Sequence, residues 1–314
     1  MKHFINTYGF SVLRWTIAIL CFAFLGHRLY YSYREFISSF AVMFSSGNLL
    51  LFAVLVLLMF INWGTESLKW MLGAGVISAI SYTRAFLSVL AGLAVSMAGP
   101  NRTGEFIGRI TVLPKEKRTA GAFVSIQISL AQTIVTIMAG LAAWLLTDSQ
   151  HLPFRTSPGA ITLVLFLVLV ISLVAYFRFA WLYKVLQGRP FARWFRNAEL
   201  QTIRVKNSLL IYNLILSVLR YAVFITQFVI AFRIFGLPLS VSELYLSSAV
   251  IYLLMAAVPS FALAELGVRG TLSVFVMGLY SADSGPVIAA STLIWILNIA
   301  IPASAGAVIL AARK

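Results

Sequence analysis

The sequence predicts an all-α polytopic membrane protein. It is expected to be built from two inverted-topology repeats, each with three spanning helices and one broken re-entrant hairpin. Three observations carry that expectation. The 314 residues are 61% hydrophobic and only 11% charged, where soluble domains are closer to half apolar and a quarter charged. Runs such as Ile161–Ala175 hold no charge at all, which is membrane material. A proline-broken Glu-x-x-x-Arg device also occurs twice, at an offset of 159 to 160 residues, close to half the chain.

The first copy reads Gly99-Pro100-Asn101-Arg102-Thr103-Gly104-Glu105-Phe106-Ile107-Gly108-Arg109. The second reads Val258-Pro259-Ser260-Phe261-Ala262-Leu263-Ala264-Glu265-Leu266-Gly267-Val268-Arg269-Gly270. In each, glutamate and arginine are four apart and share a helix face. The small-residue lead-ins align without gaps, Leu87–Pro100 against Leu246–Pro259. With only nine acidic residues in the chain, this coincidence points to an internal repeat. Ionisable groups between membrane-length apolar runs are functional-site candidates.

In order along the chain, span 1 covers about Ser11–Leu25 and reads as an uncleaved first span, because no small-x-small cleavage site follows it. A Tyr-rich belt, Tyr30 to Tyr33, follows it. Span 2 covers about Leu49–Trp63, with Glu66 expected at the interface beyond its end. Span 3, about Ala85–Ala98, runs into the break at Pro100, and Phe106–Leu113 form a short return. Span 4, about Ala120–Leu146, carries Ser125, Ser129, Gln132, Thr133 and Thr136 on one face. Span 5 covers about Gly159–Tyr183.

The basic stretch 184–206 interleaves Arg189, Arg193 and Arg196 with Phe191, Trp194 and Phe195, as an interfacial amphipathic connector would. Span 6, about Ser208–Phe232, places Asn213, Ser217, Arg220 and Gln227 on one face. Span 7, about Leu244–Val258, breaks at Pro259, and its return ends near Tyr280. Span 8, about Val287–Ala311, carries Ser291, Thr292, Trp295 and Asn298 on one side. The whole chain, 1–314, is expected to be one integral membrane domain, with repeat 1 over about 1–147 and repeat 2 over about 158–314.

The net charge of +15 is explained by topology rather than by nucleic acid. With both termini cytoplasmic, Lys69, Arg84, Lys115, Lys117, Arg118 and the basic connector all fall inside, while Arg28, Arg34, Arg155 and Arg233 fall outside. Each half then reads span, span, hairpin, span in opposite orientation, which is the plan of secondary transporters. Gln132 lies 27 residues after Glu105, and Thr292 lies 27 after Glu265.

Cys21 stands alone, and His3, His27 and His151 are in no metal-ligand spacing. There is no nucleophile–base pair and no Asp-rich motif, so neither enzyme activity, nor metal, nor cofactor is expected.

At the two Pro…Glu-x-x-x-Arg segments the sequence resembles the flippase-like transmembrane region of the lysylphosphatidylglycerol synthases, over about Phe10 to Ala311. The resemblance implies a multi-pass protein of the bacterial or archaeal cytoplasmic (inner) membrane. It further implies a protein that moves lipids between leaflets or assists enzymes that modify them. Full-length members of that family carry a soluble aminoacyl-transferase domain after the membrane region. The chain as given stops at Lys314, so lipid aminoacylation is not expected of it.

The expected function is a lipid flippase or transporter moving a phosphate-bearing lipid through a central polar cavity. The alternative is a non-transporting membrane partner of a separate lipid-modifying enzyme. The expected cavity residues are Arg102, Glu105, Arg109, Glu265 and Arg269, with Arg220, Gln132 and Asn298 on the walls. Two readings of the Glu–Arg pairs stand side by side. One is an ion pair that pins each hairpin tip. The other is an arginine that engages a lipid phosphate bidentately while its glutamate sets geometry. The expected ligands are membrane lipids, anionic phospholipid or lipid-linked phosphate, with no nucleic acid.

Overall fold

A computed structural model describes residues 16, 19–20, 22–27, 30–31, 33–43, 45–98, 103–153, 158–179, 181, 205–258 and 262–312. The described residues are helical, without strands. The helices are α1 (Tyr33–Met43), α2 (Ser46–Ala74), α3 (Tyr82–Ala98), α4 (Thr103–Ile110), α5 (Arg118–Leu146) and α6 (Pro158–Phe177). They continue as α7 (Asn207–Ile234), α8 (Val241–Ala257), α9 (Ala262–Gly278), α10 (Ser284–Trp295) and α11 (Ile301–Ala312). Five helical stretches are long and apolar enough to cross a membrane: Gly47–Ala74, Lys115–Leu146, Pro158–Phe177, Asn207–Ile234 and Ser284–Ala312. This is a multi-pass membrane protein. The amphipathic connector expected before Asn207 lies outside the described residues, apart from its last two positions.

Apolar side chains cannot by themselves order helices in lipid, because lipid tails are equally apolar, so packing and polar contacts decide the arrangement. Helices α2 and α7 run antiparallel and are pinned at three heights. Asn48 Nδ2 donates to the Ile234 carbonyl at 3.2 Å, Gln227 Nε2 to the Leu55 carbonyl at 3.1 Å, and Arg220 Nε to Asn62 Oδ1 at 2.8 Å. Asn213 Nδ2 donates to the Ile128 carbonyl at 3.1 Å and to Tyr176 Oη at 2.9 Å, tying α7 to α5 and α6. Asn213 and Gln227, read from sequence as part of a polar face, thus serve as interhelical ties. Helix α6, at a mean hydropathy of 2.8, packs on α5 and leaves most of its other surface open.

The pairs α3/α4 and α8/α9 each begin and end at one end of the bundle, and the two ends are opposite. At the mouth of α3/α4, Arg84 Nη2 donates to the Val112 carbonyl at 3.4 Å and Lys117 Nζ to the Ile77 carbonyl at 3.2 Å. Arg84, Lys115, Lys117, Arg118 and Lys206 gather at this basic end. At the mouth of α8/α9, His151 stacks on Tyr280 with ring centroids 4.2 Å apart. Tyr280 shares a hydrogen bond with Thr147, and its burial raises the phenol above its ordinary value. Glu243, Asp148 and Asp283 lie at this acidic end. Val241 follows Tyr82 by 159 positions, as Ala262 follows Thr103.

Helix α4 lies against α3 at backbone distance. A Cβ on Gly92 would fall 2.6 Å from the Glu105 carbonyl oxygen, and one on Gly108 would overlap Gly92 itself. Only glycine permits that approach. Helix α11 closes on the other side of α3, where Gly306 meets the Leu90 backbone.

Candidate functional site

The antiparallel packing of α2 on α7 and the close seating of α4 on α3 bring three cations to one carboxylate. Glu66 Oε1 lies 2.7 Å from Arg109 Nη2. Glu66 Oε2 lies 3.3 Å from Lys69 Nζ and 3.3 Å from Arg220 Nη1. Arg109 Nη2 also lies 3.3 Å from Glu105 Oε2 on its own helix. Lys69 and Glu66 are buried, and Arg220, the most open of the three cations, exposes 11% of its side chain.

This corrects the expectation that Glu66 is interfacial. Apolar residues thin out after Trp63, but no proline follows and the single Gly64 does not break the helix, so α2 continues to Ala74 and carries Glu66 into the interior. Asn62, Glu66 and Lys69 are spaced four and three, one face of a helix. That periodicity was the available signal, and the end of the apolar run masked it.

Arg220 is held on every side. Its Nε donates to Asn62 Oδ1 at 2.8 Å and its Nη1 to Gln132 Oε1 at 3.4 Å. Its guanidinium carbon sits 4.9 Å from the Phe224 ring centroid and 5.7 Å from that of Trp63, within cation–π range. Asn62 Nδ2 donates to Asn298 Oδ1 at 2.9 Å. Of the residues read from sequence, Glu105, Arg109, Arg220, Gln132 and Asn298 therefore belong to one connected network.

The second Glu–Arg pair forms a neighbouring cluster. Arg269 Nη2 lies 2.6 Å from Glu265 Oε1, and its Nη1 donates to Tyr252 Oη at 3.3 Å. Tyr252 and Phe228 rings lie 5.6 and 6.0 Å from its guanidinium carbon. The two arginines of the repeat do not touch. Phe224 and Tyr252, ring centroids 6.0 Å apart, stand between the Arg220 and Arg269 clusters. Arg102 lies outside the described residues.

Arg109 Nε and Nη1 and Arg269 Nε are buried without a hydrogen-bond partner among the described residues. Each is a guanidinium donor left over after its carboxylate is served. Planar guanidinium groups with spare donors are suited to phosphate oxygens. Among the described residues, no group of three or more His, Cys, Asp or Glu could hold a metal ion.

The architecture is that of a multi-pass helical membrane protein whose interior holds arginine-rich ion clusters. The family described as the lysylphosphatidylglycerol synthase TM region matches residues 8–306, and the chain belongs to that family. It is thereby a membrane protein related to lipid handling. No curated protein sequence matches the chain at a significant level.

Proposed function

We propose that the protein is a lipid flippase or transporter of the cytoplasmic membrane, which moves a phosphate-bearing lipid between leaflets without covalent chemistry. The observation that supports this most is the convergence of Lys69, Arg109 and Arg220 on Glu66. Three cations share Glu66 and Glu105, the two carboxylates of that cluster, deep among apolar helices. Buried charge is tolerated only when paired or lining a polar path, and a phosphate can take the place of Glu66 on Arg109 and Arg220. The opposed mouths of α3/α4 and α8/α9 give the interior one approach from each side, as inverted repeats around a midplane site require. Helix α4 rises only about 12 Å against a hydrocarbon core of about 30 Å. The α3/α4 pair is thus read as re-entrant.

Lysine and arginine mark the cytoplasmic side, so the basic end is assigned inside and both termini with it. A cysteine at Ser149 in a Cys21→Ser background should react with an impermeant thiol reagent on intact cells, and one at Gln201 should not. The reverse pattern overturns the orientation.

The functional test is leaflet translocation in proteoliposomes, with fluorescent phosphatidylglycerol, its aminoacylated form and a neutral diacylglycerol as probes. Wild type should translocate a phosphate-bearing probe and not the neutral one. Arg109→Ala and Arg269→Ala should each lose translocation while remaining folded. Normal transport by either variant removes that arginine from the phosphate role. Wild-type protein that moves none of the probes would favour the non-transporting partner.

A further inference from the structure

The C-terminal membrane helix is not one continuous α-helix. Helix α10 passes through a π turn, Ile296–Ala300, before α11 begins. Pro302 supplies a cause. It has no N–H to give to the Asn298 carbonyl, and its ring crowds that carbonyl. A π turn accommodates one extra residue, and such turns are frequent at functional sites.

This turn carries Asn298, at 1% exposure, toward Asn62, at 0%. The hydrogen bonds have one direction throughout. Arg220 Nε donates to Asn62 Oδ1 at 2.8 Å, Asn62 Nδ2 donates to Asn298 Oδ1 at 2.9 Å, and Asn298 Nδ2 donates to the Ile294 carbonyl at 3.3 Å. An amide accepts at one end and donates at the other while adding no charge. An aspartate at 62 could hold Arg220 but could not donate onward, and it would compete with any anion for the guanidinium. The anchor at the far end is firm, because α11 is packed against the α3 backbone at Gly306.

We propose that Asn298 is a positioning residue that holds Arg220, through Asn62, in the orientation that meets an incoming phosphate. This rests on the transport reading above. With Nε tied to Asn62, the Nη1 edge of Arg220 is aimed at Glu66, the carboxylate a phosphate replaces. The C-terminal helix thereby sets the readiness of an arginine it does not itself carry.

The test is made on the full chain with two readouts. In proteoliposomes with fluorescent phosphatidylglycerol, Asn298→Leu should raise KM about ten-fold, the size of one lost hydrogen bond, with little change in maximal rate. Pro302→Ala, which alters no residue of the site, should relax the π turn and reproduce that KM shift. In an Arg220→Lys background Asn298→Leu should add nothing, as expected of residues that act as one unit. A fall in maximal rate at unchanged KM, or additive losses in the double variant, overturns the relay.

The second readout needs no transport. Trp63 lies beside the Arg220 guanidinium, so Asn298→Leu should change tryptophan emission, and the change should vanish in a Trp63→Phe background. An unchanged emission spectrum overturns the relay even if the variant transports poorly. Wild-type protein that translocates nothing counts against the transport reading, and the emission arm then decides the relay by itself.

Discussion

The two helix pairs, α3/α4 and α8/α9, share a sequence frame and differ in what fills it. Ser81 and Ser240 both cap the following helix. At the first the Arg84 amide donates to Ser81 Oγ at 3.4 Å. At the second a capping box forms, with Glu243 Oε2 accepting from the Ser240 amide at 2.8 Å. The residue three past the serine is thus Arg84 at the basic mouth and Glu243 at the acidic one.

Deeper in, the gap-free alignment sets Gly92 against Ile251 and Leu93 against Tyr252. Gly92 lets the α4 backbone press against α3. In the second pair Tyr252 accepts a hydrogen bond from Arg269. The second arginine therefore finds its neutral partner within its own pair. The first, with no tyrosine to meet, reaches across to Glu66 on α2. A leucine in the place of that tyrosine separates an arginine wired to the rest of the bundle from one whose polar partners lie within its own pair.

The largest expected effect tests that wiring. Glu66→Ala leaves three cations without their shared carboxylate and should destabilise the protein by about 3–5 kcal/mol, as breaking a buried ion pair does. Glu265→Gln, which leaves Arg269 its bond to Tyr252, should cost only about 1–3 kcal/mol. Thermal unfolding in detergent measures both, and equal losses would break the comparison.

Next comes the packing. Gly108→Ala drives a methyl group into the α3 backbone and should cost about 2–3 kcal/mol. Val268→Ala, at the matching place in the second pair, should cost about 1–2 kcal/mol through its cavity. A neutral Gly108→Ala would show that the first pair is looser than its geometry.

Tyr252→Phe removes one acceptor from Arg269 and should cost about 1 kcal/mol, with no effect on the Glu66 cluster. The smallest effect lies at the acidic mouth. The Ser240 hydroxyl and then its amide hold the exposed Glu243 carboxyl below its ordinary value. Its folded value is depressed, so its contribution is complete above the unfolded value and is lost as pH falls through the depressed one. Amide exchange in the first turn of α8 should quicken over that acid range, and Ser240→Ala should remove the dependence. Helix α3, with no acidic residue in its first turn, should show none.

The sequence by itself determined the membrane class, the order of the helices and the doubled Glu-x-x-x-Arg frame. Hydropathy and helix-breaking Pro and Gly act locally, and each is written in consecutive residues. Helices α2 to α8 and α10 start within three residues of where the apolar runs place them, α5 at Arg118 and α7 at Asn207 among them. It could not place Glu66. A glutamate and a lysine three residues apart, just past an apolar run, are as consistent with solvent as with an interior, and composition cannot tell the two apart. Only the antiparallel docking of α2 on α7 and the glycine-mediated seating of α4 put Arg109 and Arg220 around that carboxylate. The same holds for Asn298, whose side chain points to Asn62 because a proline four residues later unwinds one turn. Which cation meets which carboxylate is a long-range property, set by backbone approach distances and helix register that no local pattern encodes.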